Sequence, residues 1–156
     1  MPARSPARLA KAVLIGAVLA GGAAYGGWLL SGGGGGPKAD PTDAALVAEG
    51  RKVYAEHCAA CHGLALEGEP DWRSRNPDGT LPAPPHDETG HTWHHPDEQL
   101  FDITKYGVEP FAPEGYVSNM PAYEDVLTDR EIWAALAYIK SRWPKDVIQK
   151  QQARNP

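Results

Sequence analysis

Apolar side chains recur with the period of an α-helix in three segments of the chain, at about residues 44–58, 96–107 and 128–143. No segment alternates apolar and polar residues convincingly enough to indicate a strand. Gly50 lies in the middle of the first segment, where a glycine costs about 1 kcal/mol relative to alanine, and therefore indicates that another element approaches closely there. The pattern predicts an all-α fold of three main helices.

The ends of two of these helices carry capping signals. Thr42 or Asp43 is placed to cap the first helix, directly after Pro41. Thr128 and Glu131 have the spacing of a capping box at the start of the last helix, and Pro144 is expected to end that helix. The folded domain is therefore predicted to cover residues 44–145, followed by a polar C-terminal tail over residues 146–156.

Two long segments lie between the helices: residues 67–90 are rich in proline, glycine and aspartate, and residues 108–119 contain two prolines and a glycine. These residue types predict loops. Loops of this length inside a compact domain usually surround a functional site. We therefore expect the loops to pack around a bound group.

The N-terminal 30 residues contain the bases Arg4, Arg8 and Lys11 and no acidic residue, and residues 12–30 are uncharged. As a helix, this uncharged run would span about 28 Å, close to the hydrocarbon thickness of a bilayer. Residues 1–30 are therefore predicted to form a signal anchor with one transmembrane helix in the inner (cytoplasmic) membrane, leaving the domain on the periplasmic side. Cleavage as a signal peptide is the alternative.

Residues 31–43 are rich in glycine and predict a flexible linker between the membrane and the domain. All 20 acidic side chains but only 12 of the 15 basic ones lie after residue 36. The domain is thus acidic, which makes nucleic acid an unfavourable partner.

Both cysteines of the chain lie in the segment HCAACHG, residues 57–63. A Cys-x-x-Cys pair is found in redox dithiols, in zinc sites and at the attachment points of c-type haem. A helix rather than a strand precedes the pair, which disfavours a dithiol, and no second pair of zinc ligands follows at a familiar distance. Because His62 directly follows Cys61, the motif favours haem attachment.

With this motif, the isolated Met120 in SNMPAY and the C-terminal amphipathic helix, residues 44–143 resemble the class I c-type cytochromes. The resemblance implies a cytochrome c fold of three main helices and long loops around one covalently attached haem c. It further implies that Cys58 and Cys61 hold the haem through thioethers, with His62 as proximal and Met120 as distal iron ligand. Apart from the initiator, Met120 is the only methionine in the chain, and it lies in a loop before Pro121.

The resemblance also suggests the surroundings of the haem. One of Pro82, Pro84 and Pro85 is expected to accept a hydrogen bond from the His62 ring through its backbone carbonyl. Of these, Pro84 is counted among the haem surroundings. The other residues assigned there are Trp72, Trp93 and His94.

Four histidines, His86, His91, His94 and His95, lie within ten residues. Their roles stay open at this point. One of them could replace Met120 as a ligand, or several could bind copper or zinc at the surface.

Taken together, the resemblance implies an electron-transfer protein rather than an enzyme: a membrane-tethered periplasmic carrier between a respiratory or dehydrogenase donor and an acceptor such as a terminal oxidase. Its partners would be electron-donor and electron-acceptor proteins, and it would contact the membrane through residues 12–30. A fixed haem c subunit of a larger membrane oxidoreductase complex is the alternative. A gas sensor or weak peroxidase with an open iron site is a further rival, which Met120 argues against.

Overall fold

A computed structural model describes residues 39–156, and all regular structure in this part of the chain is helical. This confirms the predicted all-α fold. The α-helices are α1 (Ala44–His57), α2 (Ala59–His62), α3 (Asp97–Tyr106), α4 (Asp129–Ser141) and α5 (Lys145–Gln152), with short 3₁₀ turns at Thr92–His94 and Glu109–Phe111. No helix among residues 39–156 is both long and apolar enough to cross a bilayer. The predicted anchor, residues 1–30, and most of the predicted linker lie outside the described residues.

Local capping explains where the two longest helices begin. The Asp43 side chain accepts hydrogen bonds from the backbone N–H groups of Ala45 and Leu46, at 3.0 and 3.1 Å. At the start of α4, the Thr128 side chain accepts from the Glu131 backbone, and the Glu131 carboxylate accepts from the Thr128 backbone. Both caps are local in sequence, which is why the pattern of residues predicts them.

Helices α1 and α4 form the most extensive contact between helices in residues 39–156. At their crossing, a Cβ on Gly50 would overlap the backbone carbonyl of Ala134. The close approach indicated by the sequence at Gly50 is therefore present, and it brings the backbones of the first and last main helices together.

Three apolar clusters form the core around this crossing. The largest joins side chains of α1, α3 and α4 and includes Val53, Phe101 and Ile132. A second cluster lies beside the Cys-x-x-Cys-His motif and includes Tyr54, Leu66 and Trp143, with Cys58 packed against it. The motif is thus anchored to the core on one side.

The segment assigned to a polar tail, residues 146–156, is folded over most of its length. Helix α5 buries Val147 and Gln151, and the Gln151 side-chain amide donates to Asp97 at 2.7 Å. Asp97 also pairs with Lys140 at 2.7 Å, and both side chains are almost fully enclosed. The helix is therefore held by these polar contacts together with Val147 and Ile148, which pack in the apolar cluster beside the motif.

Candidate functional site

The Cys-x-x-Cys-His motif forms a single helical turn directly after α1. The carbonyl of Cys58 accepts hydrogen bonds from the backbone N–H groups of Cys61, at 3.2 Å, and His62, at 2.9 Å. Gly63 follows with φ of 78°, a conformation that favours glycine, and its carbonyl accepts a bond from the Tyr54 hydroxyl at 2.9 Å. The turn is therefore fixed to α1 at both ends.

The two thiols differ in exposure: Cys58 is half-buried and Cys61 is exposed. Burial raises the pKa of the Cys58 thiol to about 11, with the neighbouring Cys61 adding to the shift. A redox dithiol needs a thiol with a lowered pKa, because the thiolate is the reactive form. The environment of Cys58 therefore argues against the dithiol interpretation.

The His62 side chain is buried, at 7% exposure, and its ring is oriented by a single backbone group. Its Nδ1 lies 2.8 Å from the carbonyl oxygen of Pro84, so that Nδ1–H donates and Nε2 keeps its lone pair. Burial lowers the pKa of His62, although the bond to Pro84 acts in the opposite direction. A neutral, oriented imidazole with a free Nε2 is the form that binds a metal. Of the three prolines considered from sequence, Pro84 supplies the acceptor.

His86 lies directly against the proximal candidate, a placement that the sequence did not indicate. Its ring stacks on His62 with centroids 4.0 Å apart and an angle of 23° between the planes. Its Nδ1 is 2.7 Å from the Thr92 hydroxyl, and its backbone carbonyl accepts a bond from the Trp143 indole at 2.7 Å. Burial, with His62 and His91 adding to it, lowers the pKa of His86 well below its ordinary value. His86 is thus a neutral ring that restricts the movement of His62. In the sequence, only its position two residues after Pro84 points to this role.

Met120 lies in the loop before α4 and lines a cavity of about 290 Å³. Its backbone N–H donates to the Ser118 hydroxyl at 3.1 Å, and the Ser118 N–H donates to the Glu109 carboxylate at 3.2 Å. The other residues lining this cavity are Tyr106, Gly107, Val108, Glu109, Pro110, Ser118 and Ala122. Met120 therefore lies beside a recess of mixed polar and apolar lining.

One long-range hydrogen bond connects the Met120 segment to the cysteine motif. The hydroxyl of Tyr123, three residues after Met120, donates to the carbonyl of His57 at 2.6 Å. His57 directly precedes Cys58. The fold therefore holds the two predicted haem-binding segments next to each other, although 58 residues separate Met120 from His62 in the sequence.

The three aromatic residues assigned to the haem surroundings take different positions. Trp93 packs against the apolar cluster beside the motif, to which Cys58 also belongs. His94 is exposed, with its ring centroid 3.8 Å from that of Trp93. Trp72 stacks on His91 at 5.4 Å between ring centroids. Their roles at the haem stay predictions.

The alternative of a separate copper or zinc site finds no support in the folded part of the chain. Within residues 39–156, no three or more side chains of His, Cys, Asp or Glu come together in a group that could hold a metal ion. His86 is turned toward His62, whereas His91 packs edge-on to His95 at 5.7 Å and face-on to Trp72.

The donor set and its surroundings fit a c-type haem. Two thiols and a neutral imidazole occupy one helical turn, and the Met120 thioether belongs to a neighbouring loop that lines a recess. Large apolar side chains are also unusually exposed beside these two segments. Leu64 of the motif segment is 73% exposed, and Phe111 and Val117 of the Met120 loop are 46% and 50% exposed. A flat apolar macrocycle would cover such side chains, which otherwise mark an interaction surface.

Comparison with known protein families identifies a match over the helical domain. The model of the family described as cytochrome C oxidase, cbb3-type, subunit III matches residues 45–139. These residues include the cysteine motif, Met120 and all but the last two residues of α4. Searches of curated proteins and of solved structures returned no significant match.

Proposed function

This chain belongs to the family of cytochrome c oxidase, cbb3-type, subunit III, and from that membership we propose that it carries single electrons through a haem held by Cys58, Cys61, His62 and Met120. It is a class I c-type cytochrome and binds haem c covalently. The observation that carries the proposed ligand set is the hydrogen bond from Tyr123 to His57, because it joins the Met120 loop to the cysteine motif.

Each of the four residues has a separate part in this proposal. Cys58 and Cys61 form thioethers from one helical turn, which fixes the macrocycle relative to α1. His62 binds the iron through Nε2 while Nδ1–H stays bonded to Pro84. Met120 would supply the second protein ligand, and its thioether would favour the reduced state. Haem c supplies reversible one-electron chemistry at its iron.

With His62 and Met120 both holding the iron, the haem would keep no position for oxygen or a substrate, so the proposal is a carrier and not an enzyme. Tight support on both sides keeps the ligand geometry constant between oxidation states. On the proximal side this support is the Pro84 carbonyl and the stacked His86 ring. On the distal side it is the hydrogen-bonded loop around Met120.

We extend the proposal to a position at the membrane. Residues 12–30 would anchor the chain in the inner membrane, residues 31–43 would act as a tether, and the haem domain would lie on the periplasmic side. Donor and acceptor proteins of the membrane or periplasm, such as a dehydrogenase and a terminal oxidase, would be its partners. This orientation is tested by labelling the lysines of the domain with a membrane-impermeant reagent in intact spheroplasts. We expect the domain to be labelled, and its protection from the reagent would contradict the proposal.

A fixed haem c subunit of a larger membrane oxidoreductase complex is the second candidate. The description of the matching family, which names an oxidase subunit, favours it. Purification in mild detergent separates the two candidates: stoichiometric co-purification with oxidase subunits supports the fixed subunit, and a chain recovered alone with full haem content supports the mobile carrier.

The ligand set is tested by replacing Met120 with alanine in protein produced with the haem attachment machinery. We expect the wild-type ferric protein to show the weak near-infrared sulfur-to-iron band, and Met120→Ala to lose it while keeping covalent haem. Glu114→Ala, at an exposed position of the same loop, is the control and should keep the band. We expect the reduced variant to bind carbon monoxide at neutral pH and the reduced wild type not to. A wild-type protein without the band would contradict Met120 as the ligand.

A further inference from the structure

The sequence Asp-x-Thr occurs at four places in residues 39–156. The fourth, Asp102–Thr104, lies inside α3, where the Thr104 hydroxyl donates to the Leu100 carbonyl instead. The other three form the same local structure. The pairs are Asp40–Thr42, Asp78–Thr80 and Asp87–Thr89. In each pair, the threonine backbone N–H and hydroxyl both donate to the same aspartate oxygen, over distances of 2.6 to 3.0 Å. This is an ordinary local turn, in which a short polar side chain bonds the backbone two residues on.

Thr80 differs from the other two threonines in burial and in partners. Thr42 and Thr89 are exposed, whereas Thr80 is 3% exposed. The Thr80 hydroxyl also accepts hydrogen bonds from the side-chain amides of Asn76, at 3.1 Å, and Asn119, at 3.2 Å. The turn around Thr80 is therefore connected to a second segment of the chain.

The hydrogen-bonding capacity of this hydroxyl is completely used. Hydrogen bonds from Thr80 lower the pKa of Asp78, so its side chain is a carboxylate that only accepts. The hydroxyl proton must point at Asp78, which leaves both oxygen lone pairs for the amides of Asn76 and Asn119. Because Thr80 is buried, water cannot readily replace a bond that is lost.

Asn119 directly precedes Met120. The other hydrogen bonds that hold this loop are the Met120 N–H to the Ser118 hydroxyl and the Ser118 N–H to the exposed Glu109 carboxylate. The loop therefore has two hydrogen-bonding partners in other segments, Thr80 and Glu109. Thr80 is buried, whereas Glu109 is exposed. The residue next to the proposed ligand therefore donates to the hydroxyl of a buried threonine.

We propose that Thr80 is a positioning residue that keeps the Met120 loop closed through its hydrogen bond to Asn119. The inference rests on the proposed function, because it takes Met120 as the distal iron ligand. The bond between iron and thioether sulfur is replaced by an added ligand only when the loop opens. Thr80 would then control how often Met120 leaves the iron. It would do so through Asn119, without contacting Met120 or the iron.

The experiment uses the ferric holoprotein and imidazole as the added ligand, which replaces Met120 at the iron. Thr80→Val keeps the shape of the side chain and removes its hydroxyl. We expect imidazole to bind at least about tenfold faster than in the wild type, since one lost hydrogen bond to a buried group is of that order. We expect the sulfur-to-iron band to weaken as well.

Two further variants separate the proposed role from a local structural one. Thr89→Val removes the same hydroxyl from the same type of turn and should leave the band and the imidazole rate unchanged. Asn119→Ala removes the donor of the hydrogen bond to Thr80. Because Asn119 is exposed and lies outside the 76–80 turn, the turn stays intact, and the variant should accelerate imidazole binding as Thr80→Val does. Thr80→Val removes the bond to Asn119 together with the two bonds inside the turn, whereas Asn119→Ala removes only the shared bond. Adding Asn119→Ala to Thr80→Val should therefore accelerate imidazole binding no further.

Three results would overturn the inference. If wild type and Thr80→Val bind imidazole at the same rate, Thr80 does not hold the loop. If Thr80→Val accelerates binding and Asn119→Ala does not, the effect does not pass through Asn119. In both cases, if the wild type shows the sulfur-to-iron band, Met120 is still the ligand and only the role of Thr80 is overturned. If the wild type itself lacks the band, the ligand assignment fails first and the inference fails with it.

Discussion

Gly50 determines how closely helices α1 and α4 approach. Alanine is a better helix former than glycine by about 1 kcal/mol, so Gly50→Ala would stabilise an isolated helix. In this fold the added methyl group would overlap the Ala134 carbonyl, which is backbone and cannot rotate away. We expect Gly50→Ala to lower the free energy of unfolding of the holoprotein by about 3 kcal/mol, measured by denaturant titration.

The matched control for this prediction is Ala48→Gly, an exposed position of the same helix, which should cost only about 1 kcal/mol. A Gly50→Ala protein as stable as the wild type would show that the two helices separate at little cost.

The residue scale also shows what the sequence could and could not predict about the site. Cys58, Cys61 and His62 act within one turn, so their spacing is visible in the sequence. Thr80 and His86 depend on partners that the fold brings from other segments, Asn119 for the first and His62 for the second. In the sequence, Thr80 has the same local pattern as Thr42 and Thr89, so nothing local distinguishes it.

At the scale of elements, a buried ion pair between Asp97 and Lys140 joins helices α3 and α4. The Lys140 side chain of α4 is 1% exposed, and its amino group contacts both oxygens of Asp97 at 2.8 and 2.7 Å. The same carboxylate accepts from Gln151 of α5 and from Asn155. Asp97 therefore connects α3, α4 and α5.

We expect Lys140→Met to lower the free energy of unfolding by about 3 to 5 kcal/mol, because it leaves the buried Asp97 carboxylate without a cation. Lys150→Met is the control: Lys150 pairs with Asp146 at 2.9 Å, but both side chains are more than half exposed. Its loss should cost no more than about 0.5 kcal/mol. Calorimetry of both holoproteins measures the difference, and equal losses would show that the Asp97 network adds nothing to stability.

The helices differ in how well the sequence predicted them. Helices α1, α3 and α4 have apolar faces at helical spacing, and two of them have side-chain caps, so their extents could be predicted closely. Helix α5 was assigned to a tail because its buried residues include the polar Gln151, whose partner Asp97 lies 54 residues away. A pattern of apolar residues cannot show burial that depends on such hydrogen bonds.

At the scale of the whole molecule, the long loops contain little regular structure, and their apolar side chains are only partly covered by protein. Phe111, Val117 and Leu64 are each at least 46% exposed, and all three lie beside the proposed haem-binding segments. We infer that covalent haem completes the core. The protein without haem should then lack the cooperative fold, although α1 and α4 keep their local helix signals.

The double variant Cys58→Ala/Cys61→Ala, which cannot form either thioether, tests this inference. We expect it to keep part of the far-ultraviolet circular dichroism of the holoprotein, to lose the near-ultraviolet signal and to bind an apolar fluorescent dye, as expected for a chain without fixed tertiary packing. Cys61→Ala, which keeps one thioether, is the control and should stay folded with haem attached. A double variant that unfolds cooperatively and binds no dye would mean that the three apolar clusters suffice without the haem, and that the exposed side chains of the loops belong to a protein interface instead.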